Sequence, residues 1–303
     1  MLFSIIIPTY NRAHILPRTI ASVLAQTYAD WECIIVDDGS TDETKNLIDL
    51  YADSRIRYVY QENAERSAAR NNGIRHAQGE YICFLDSDDE YLPEHLEVLQ
   101  REISFINSPI KGMYVVHALH NMSNEIVKPE YPPLHPGKEL EYVFTNPITP
   151  TRVCIHRDVL ARIQFDADIC IVEDLVLWCK IAAEFPVYQI QEYTVQYHLH
   201  EDNSINLKNN SYASRYAGLT LFFKRYSYIK KQIPACTRKQ VLSNTLFGIA
   251  KHYIHIGNTK KAIKHTFRAL LKQPFHAMTL HRKLVLLALL GLYSKKVLKE
   301  YKK

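Results

Sequence analysis

Phe3-Ser-Ile-Ile-Ile-Pro8, Trp31-Glu-Cys-Ile-Ile-Val36 and Tyr81-Ile-Cys-Phe-Leu85 are apolar runs that each stop abruptly at polar residues. Those stops read Thr9-Tyr-Asn-Arg12, Asp37-Asp-Gly-Ser-Thr-Asp42 and Asp86-Ser-Asp-Asp89. Short β-rich runs that alternate with helical patterns, and that are apolar throughout, predict a parallel sheet covered on both faces. In such sheets ligands bind outside the carboxyl ends of the strands, so the three polar stops are expected to converge on one crevice. That crevice is rich in carboxylates.

Working outward, Leu16, Ile20, Val23 and Leu24 give helical spacing after the first strand. In the loop between, Tyr10 is either the rim of a plain turn or a surface on which a ligand base stacks. Ser40-Thr-Asp-Glu43 has the spacing of a capping box. Capping does not require the aspartates ahead of Gly39, where a carboxylate could accept hydrogen bonds from a uracil imide or a ribose; surplus acid in a turn is the plainer account. Ile56, Tyr58 and Tyr60 alternate along a third strand, and Ser67 to Gly79 reads as a helix ended by a glycine cap. Arg70 and Arg75 are solvated helix charges, unless Arg70 turns toward the crevice and clamps a diphosphate.

Asp86-Ser87-Asp88-Asp89 packs three carboxylates into four residues. They repel one another unless a cation sits among them, and Mg²⁺ or Mn²⁺ takes oxygen ligands and is readily shared with substrate phosphates. An acidic helix start favoured by the dipole is the alternative. Pro93 opens a helix with Leu96, Leu99, Ile103 and Ile106 on one face. Lys111 to Ala118 and Arg152 to Arg157 read as strands, separated in part by a proline-bearing loop from Asn121 to Gly137. Glu173-Asp174 opens an amphipathic helix, and Val195-Gln-Tyr-His-Leu-His200 ends the unit with two alternating histidines.

The 303 residues are 47% apolar and 23% charged, ordinary for a globular protein. Six cysteines show no C-x-x-C spacing and are expected to be reduced core residues of a cytoplasmic protein. Met1 runs straight into the first strand, so no signal peptide is expected. The net charge of +5 hides an asymmetry: residues 1–237 hold 22 Lys/Arg against 31 Asp/Glu, and residues 238–303 hold 15 against one. Body and tail therefore face different partners.

Ser4-Ile-Ile-Ile-Pro-Thr-Tyr-Asn-Arg12, Gln26-Thr27, Val36-Asp-Asp-Gly-Ser-Thr-Asp42, Ser67-Ala-Ala-Arg-Asn71, Gly79-Glu-Tyr-Ile82, Phe84-Leu-Asp-Ser-Asp-Asp89, Phe165-Asp166 and Glu173-Asp174 with Trp178 together resemble the family 2 glycosyltransferases, inverting enzymes of the GT-A fold. The order and spacing cover residues 3–205. The resemblance implies an α/β fold, a Rossmann-like and mostly parallel sheet flanked by helices. It implies a nucleotide-sugar-binding catalytic domain over 1–205, followed by a basic helical extension over 206–303.

By the same resemblance Pro8, Tyr10 and Asp38 hold the base and ribose, and Arg70 lies near the diphosphate. Asp86 approaches the ribose, Asp88 binds Mn²⁺ or Mg²⁺, and Asp174 is the general base. The family often carries Tyr-Arg-x-His after the base, whereas this chain reads Tyr197-His198-Leu199-His200. The arginine is missing, and His200 is left for the place near metal and phosphates. The implied reaction moves a hexosyl group from a UDP-sugar to a hydroxyl of a glycan or lipid-linked glycan, in surface polysaccharide biosynthesis. One displacement inverts the anomeric centre.

Two other classes use similar residues. A sugar-phosphate nucleotidyltransferase also needs nucleotide, carboxylates and Mg²⁺, but no glycine-rich, lysine-bearing loop stands near the N-terminus. A non-catalytic nucleotide- or glycan-binding module would not need Asp174. Dinucleotide oxidoreductases are disfavoured because no G-x-G-x-x-G follows the first strand. In the tail, Leu219 to Tyr228, Val241 to Ile256 and Thr259 to Leu271 read as helices. The charge-free run Leu284 to Tyr293, flanked by Arg282, Lys283, Lys295, Lys296 and Lys299, is too short to span a bilayer. It suits either a helix on the anionic cytoplasmic face of a membrane or one packed on the catalytic domain. No recognised nucleic-acid module accompanies the charge, so nucleic acid is not an expected partner.

Overall fold

The computed structural model describes residues 1–105, 111–122, 125–169, 171–199 and 210–273. The first half of the chain is a succession of strand–helix units. β1 (Phe3–Thr9), β2 (Trp31–Asp38), β3 (Ile56–Gln61) and β4 (Tyr81–Phe84) alternate with α1 (Leu16–Leu24), α2 (Thr44–Ile48) and α3 (Glu65–His76). β1 pairs in parallel with β2 and β4, and β2 in parallel with β3. All of β2 and β4 is buried, and β1 is buried except at Pro8, because helices cover both faces. β3 closes the edge, and there Tyr60 stands exposed.

The second half adds β5 (Glu90–Tyr91), α4 (His95–Phe105), β6 (Met113–Met122), β7 (Glu125–Val127) and α5 (Glu139–Thr145). A 3₁₀ turn at Pro150–Arg152, β8 (Val153–His156), α6 (Arg157–Arg162), α7 (Glu173–Ala182) and β9 (Val187–Leu199) follow. The strand order is β3-β2-β1-β4-β8-β6-β9-β5, with β7 pairing with β6. β8 is antiparallel to both β4 and β6, and β9 is parallel to β6 and antiparallel to β5. Hence β1, β2, β3, β4, β6 and β9 all run one way, the mostly parallel sheet that the apolar runs predicted.

Phe3, Trp31, Tyr81, Tyr114 and the isoleucines Ile5 and Ile7 of β1 form the centre of one core cluster. Each such fully buried side chain contributes about 1.5–3 kcal/mol from area removed from water. The described cysteines are free, with Cys33, Cys83, Cys154 and Cys179 buried and Cys236 exposed.

Four local expectations change. Gly79 does not cap α3, which ends at Ala77 in extended conformation. A Cβ at Gly79 would lie 2.6 Å from Ser4 Oγ and 2.8 Å from Leu2 O, so glycine lets the chain press against β1. Ser40 is no cap of α2 either; Thr44 N donates to Asp42 Oδ1 at 3.1 Å, and the Ser40 hydroxyl serves the loop after β1. The long loop after Asn121 begins as a hairpin, since β7 pairs back on β6. The tail helix starts earlier than its apolar spacing indicated and breaks at Tyr226, giving α8 (Ser211–Arg225) and α9 (Ser227–Gln232).

With α10 (Ala235–His255) and α11 (Thr259–Lys272), these helices and Ile169–Val172 belong to a second compact unit; the first unit holds the sheet. The expected boundary at 205/206, the run Leu284 to Tyr293, Ile106 and His200 lie outside the described residues. Among the described residues, no helix is long and apolar enough to cross a membrane.

Candidate active site

The turn after β1 is set by Asn11, whose φ of 52° is a left-handed conformation that asparagine tolerates. Asn11 N donates to Ser40 Oγ at 2.9 Å, and Asn11 Oδ1 accepts from Thr41 N at 2.8 Å, locking the loops after β1 and β2 together. The turn leaves Tyr10 half exposed, at 49%, and carries Arg12 Nη1 to 3.4 Å from Asp88 Oδ2. Pro8 sits on β1 opposite Val36.

The two aspartates of β2 divide their work. Asp37 is buried and spent on structure, accepting from Ser40 N and from the Tyr58 hydroxyl, both at 2.8 Å. Asp38 Oδ1 accepts from Gln61 Nε2 at 2.6 Å and from Ala64 N at 2.9 Å, while Asp38 Oδ2 makes no hydrogen bond among the described residues. Gly39, at φ 83°, is required there because a Cβ would stand 2.8 Å from Asn63 N.

The acidic turn after β4 is braced from several elements. Asp86 Oδ1 accepts from Arg70 Nη2 at 2.7 Å. Arg70, on α3 and only 3% exposed, also has Nη1 at 3.7 Å from Glu173 Oε1 and its guanidinium over the Phe165 ring. Asn71 fixes that ring by accepting from Phe165 N and donating to Phe165 O. Burial works against charge on Arg70, but Asp86, Glu173 and Asp174 outweigh it and hold the guanidinium firmly protonated. Arg70 Nε and Nη1 and Glu173 Oε2 are buried without hydrogen-bond partners. Asp174 is half-buried at the start of α7, with Oδ1 accepting from Leu175 N at 2.7 Å.

Asp89 is fully buried beneath the turn. Its Oδ2 accepts from Thr151 Oγ1 at 2.8 Å, and its Oδ1 accepts from His198 N at 3.1 Å. Burial, then repulsion from Asp86 and Asp88, pushes its carboxyl well above the usual range. Arg18 Nη2 donates to Asp88 O at 2.7 Å, and Glu90 joins Arg18 Nε and His198 Nε2 at 3.2 and 2.6 Å.

The structure thus ties Asp86 and Arg70 to the segment bearing Asp174, and brings Asp88 against the loop that carries Tyr10. Asp38 lies on β2, beside β1, at the same carboxyl end of the sheet. No three His, Cys, Asp or Glu side chains among the described residues form a ready metal cage. The donors that are present still fit a hard cation: Asp86 and Asp88 are partly exposed oxygen ligands whose mutual crowding a cation would relieve. Mg²⁺ and Mn²⁺ are commonly held by one or two carboxylates plus substrate phosphates.

Arg12, Thr151 and Glu173 carried no role of their own in the sequence, and Asp89, expected with its neighbours around a cation, instead has both oxygens bound by Thr151 Oγ1 and His198 N. Glu173 adjoins a residue singled out for chemistry, which is a signal in itself. Thr151 had none, since its link to Asp89 spans 62 positions.

Residues 4–116 match the model of glycosyl transferase family 2. An uncharacterized glycosyltransferase of Rickettsia felis is 32% identical over 241 residues, which cover 76% of this chain and 38% of that protein. The Escherichia coli UDP-Glc:alpha-D-GlcNAc-diphosphoundecaprenol beta-1,3-glucosyltransferase WfgD is 41% identical over 128 residues, 38% of this chain and 51% of its own length. The chain therefore spans between about a third and a half of several of the curated relatives it matches. The putative teichuronic acid biosynthesis glycosyltransferase TuaG of Bacillus subtilis is 32% identical over 212 residues, 68% of this chain and 81% of that protein.

Among solved structures, S. aureus TarS 1-349 in complex with UDP-GlcNAc superposes with a TM-score of 0.59 at 16% identity, covering 91% of this chain and 93% of that one. The mannosyltransferase PcManGT of Pyrobaculum calidifontis, in complex with GDP-Man and Mn2+, gives 0.56 at 18% identity, covering 99% and 82%. These likenesses show the fold, which is GT-A-like. With the acidic turn, the buried Arg70 and the Glu173-Asp174 pair on one sheet end, and TuaG aligned along most of its length, the chain belongs to glycosyl transferase family 2.

Proposed function

We propose that the chain is an inverting, metal-dependent glycosyltransferase that moves a hexosyl group from a UDP-sugar to a hydroxyl of a glycan or lipid-linked glycan during surface polysaccharide assembly. The observation that carries this reading is Arg70, which joins Asp86 of the acidic turn to Glu173 beside Asp174. A leaving-group end and a base end of a displacement reaction are thereby held by one buried cation. WfgD, named for a UDP-glucose donor and a diphosphoundecaprenol-linked acceptor, and TuaG, named for teichuronic acid biosynthesis, support the donor and the setting. TarS bound to UDP-GlcNAc supports the uridine nucleotide, and PcManGT bound to Mn2+ supports the metal.

In this reading Tyr10 stacks on the base beside Pro8, and the unspent Oδ2 of Asp38 accepts from the base or ribose. Asp86 approaches the ribose. With Nη2 on Asp86 and Nη1 toward Glu173, the Nε of Arg70, which has no hydrogen-bond partner, is the donor left over for a diphosphate oxygen. Asp88, with His200, would hold Mn²⁺ or Mg²⁺, and the cation would neutralise charge on the departing diphosphate. Asp174 takes the proton of the acceptor hydroxyl as it attacks the anomeric carbon. An α-linked donor then yields a β-glycoside, and UDP departs.

The catalytic domain is taken as 1–205 and the basic extension as 206–303, with the protein peripheral on the cytoplasmic face of a membrane through that extension. The test is a panel of nucleotide sugars with Mn²⁺, read as donor hydrolysis and thermal shift. A UDP-sugar should stand out, and Asp174→Asn should lower turnover about 10²- to 10⁴-fold while UDP binding persists. Full turnover in Asp174→Asn would sink the enzyme assignment.

A further inference from the structure

α11 is packed inside out. Its fully buried residues are small, Ala262, Thr266 and Ala269, and Ala269 with the half-buried Leu270 packs against the cluster of Leu246, Phe247 and Ile249 on α10. Ser243 Oγ donates to Ala269 O at 3.0 Å, confirming how closely the two helices approach. Leu270 apart, its large apolar residues face outward instead: Ile263, Phe267 and Leu271 are 46%, 62% and 69% exposed. At 3.6 residues per turn these three fall within an arc of about 80°. A helix that needed only to pack on α10 gains nothing from a phenylalanine and a leucine in water.

The charges around this stripe identify what covers it. Lys260 lies among the three apolar residues, and Lys264, Arg268, Lys261 and Lys272 continue from its edge round the exposed side, all five exposed. Lys261 and Arg268 rest partly on the rings of Tyr253 and Tyr216, while Lys260, Lys264 and Lys272 make no ion pair among the described residues. From Arg238 to Lys299 the sequence contains no Asp or Glu. A second copy of this face, or the run Leu284 to Tyr293 with its flanking lysines, would set like charge against like. An anionic lipid surface meets both features, because it takes up an apolar stripe at the acyl boundary and attracts the lysines around it.

We propose that α11 is the membrane-docking helix of this protein, with Ile263, Phe267 and Leu271 entering an anionic lipid interface and Lys260, Lys264 and Lys272 contacting headgroups. This deepens the membrane contact put forward above and rests on that reading. It assigns the contact to a described, folded helix.

The test is flotation of full-length protein, without nucleotide, on vesicles of phosphatidylcholine alone or with about 30% phosphatidylglycerol. The wild type should partition onto the anionic vesicles roughly tenfold better, and the preference should fade as salt rises. The triple variant Ile263→Gln, Phe267→Gln, Leu271→Gln should lose that binding at low salt. A second variant, Lys260→Glu, Lys264→Glu, Lys272→Glu, should lose the anionic preference without touching the contact with α10. Both should keep their UDP affinity, which reports the catalytic unit separately. Unchanged flotation of both variants would overturn the proposal. So would a wild-type dimer that the glutamine variant dissolves while still floating, since a second copy would then own the face.

Discussion

The hydroxyl of Thr151 donates to the buried carboxylate of Asp89 at 2.8 Å and accepts from Asp86 N at 3.2 Å. One side chain on the turn before β8 therefore fixes both ends of the acidic turn, and His198 N completes the cage from β9. Thr151→Val keeps the shape and removes both bonds, leaving Asp89 under-satisfied. A loss of about 1–3 kcal/mol is expected, because an unsatisfied buried acceptor bears its full desolvation penalty. At this chain length that lowers the melting temperature by several degrees, measured by calorimetry. UDP affinity in Mn²⁺ should weaken in parallel as Asp86 and Asp88 lose their fixed spacing. A Thr151→Ser variant should restore most of both.

Arg70 reaches both Asp86 and Glu173, and it is buried. Arg70→Met leaves the buried Glu173 without that cation, a change that typically costs about 3–5 kcal/mol. Arg70→Lys keeps the charge but cannot span two carboxylates in the guanidinium's planar fork. The expected order of thermal stability is wild type, then lysine, then methionine. Turnover should collapse in both variants, because a structural arginine alone would let lysine rescue activity along with stability. Steady-state kinetics on the folded lysine variant make that distinction.

The strands and the acidic turn were legible in the sequence because each apolar run is short, uninterrupted and closed by a polar stop. Long-range satisfaction of buried polar groups was not. Glu32 illustrates this: from β2 it accepts from Ser4 Oγ and Arg57 Nη1, an arrangement with no periodic trace. Gly79 has the spacing of a helix cap because helix ends favour glycine, yet contact with Ser4 and Leu2 dictates it. On α11 the spacing gave the helix but not its orientation, since apolar periodicity alone assigns the largest residues to the inside. Family likeness singles out Asp174 in the sequence, and only the fold shows its neighbour Glu173 buried against Arg66 and Arg70.

Acid should destabilise the fold through His95. Its ring stacks on Tyr91, its Nδ1 pairs with Thr194 Oγ1 at 2.8 Å, and burial lowers its pKa from 6.5 to about 3. The unfolded chain takes up a proton near pH 6.5, whereas the folded protein resists until about pH 3. Stability is therefore unaffected by this group above pH 6.5 and falls as pH drops through that window, by up to about 1.4 kcal/mol per pH unit. His95→Gln should lower stability at pH 7 yet flatten the decline between pH 6 and 4. Chemical denaturation at a series of pH values measures both slopes, and parallel curves would remove His95 as the source.

Asp88 offers the sharpest separation of metal binding from chemistry. Its Oδ2 stands 3.4 Å from Arg12 Nη1, a long contact between two partly exposed groups, and its backbone is fixed by Arg18. A cation arriving with nucleotide phosphates would compete with Arg12 for that oxygen. Wild-type protein should bind UDP more tightly in Mn²⁺ than in chelator, and Asp88→Asn should bring the two affinities to within about twofold, since an amide is a far poorer ligand for a hard cation. Arg12→Ala should do the opposite and strengthen the Mn²⁺-dependent component, because it removes the competitor. Titration calorimetry with UDP reads all three proteins without any turnover. A manganese effect that survives intact in Asp88→Asn would move the metal to other ligands and leave Asp88 as a partner of Arg12.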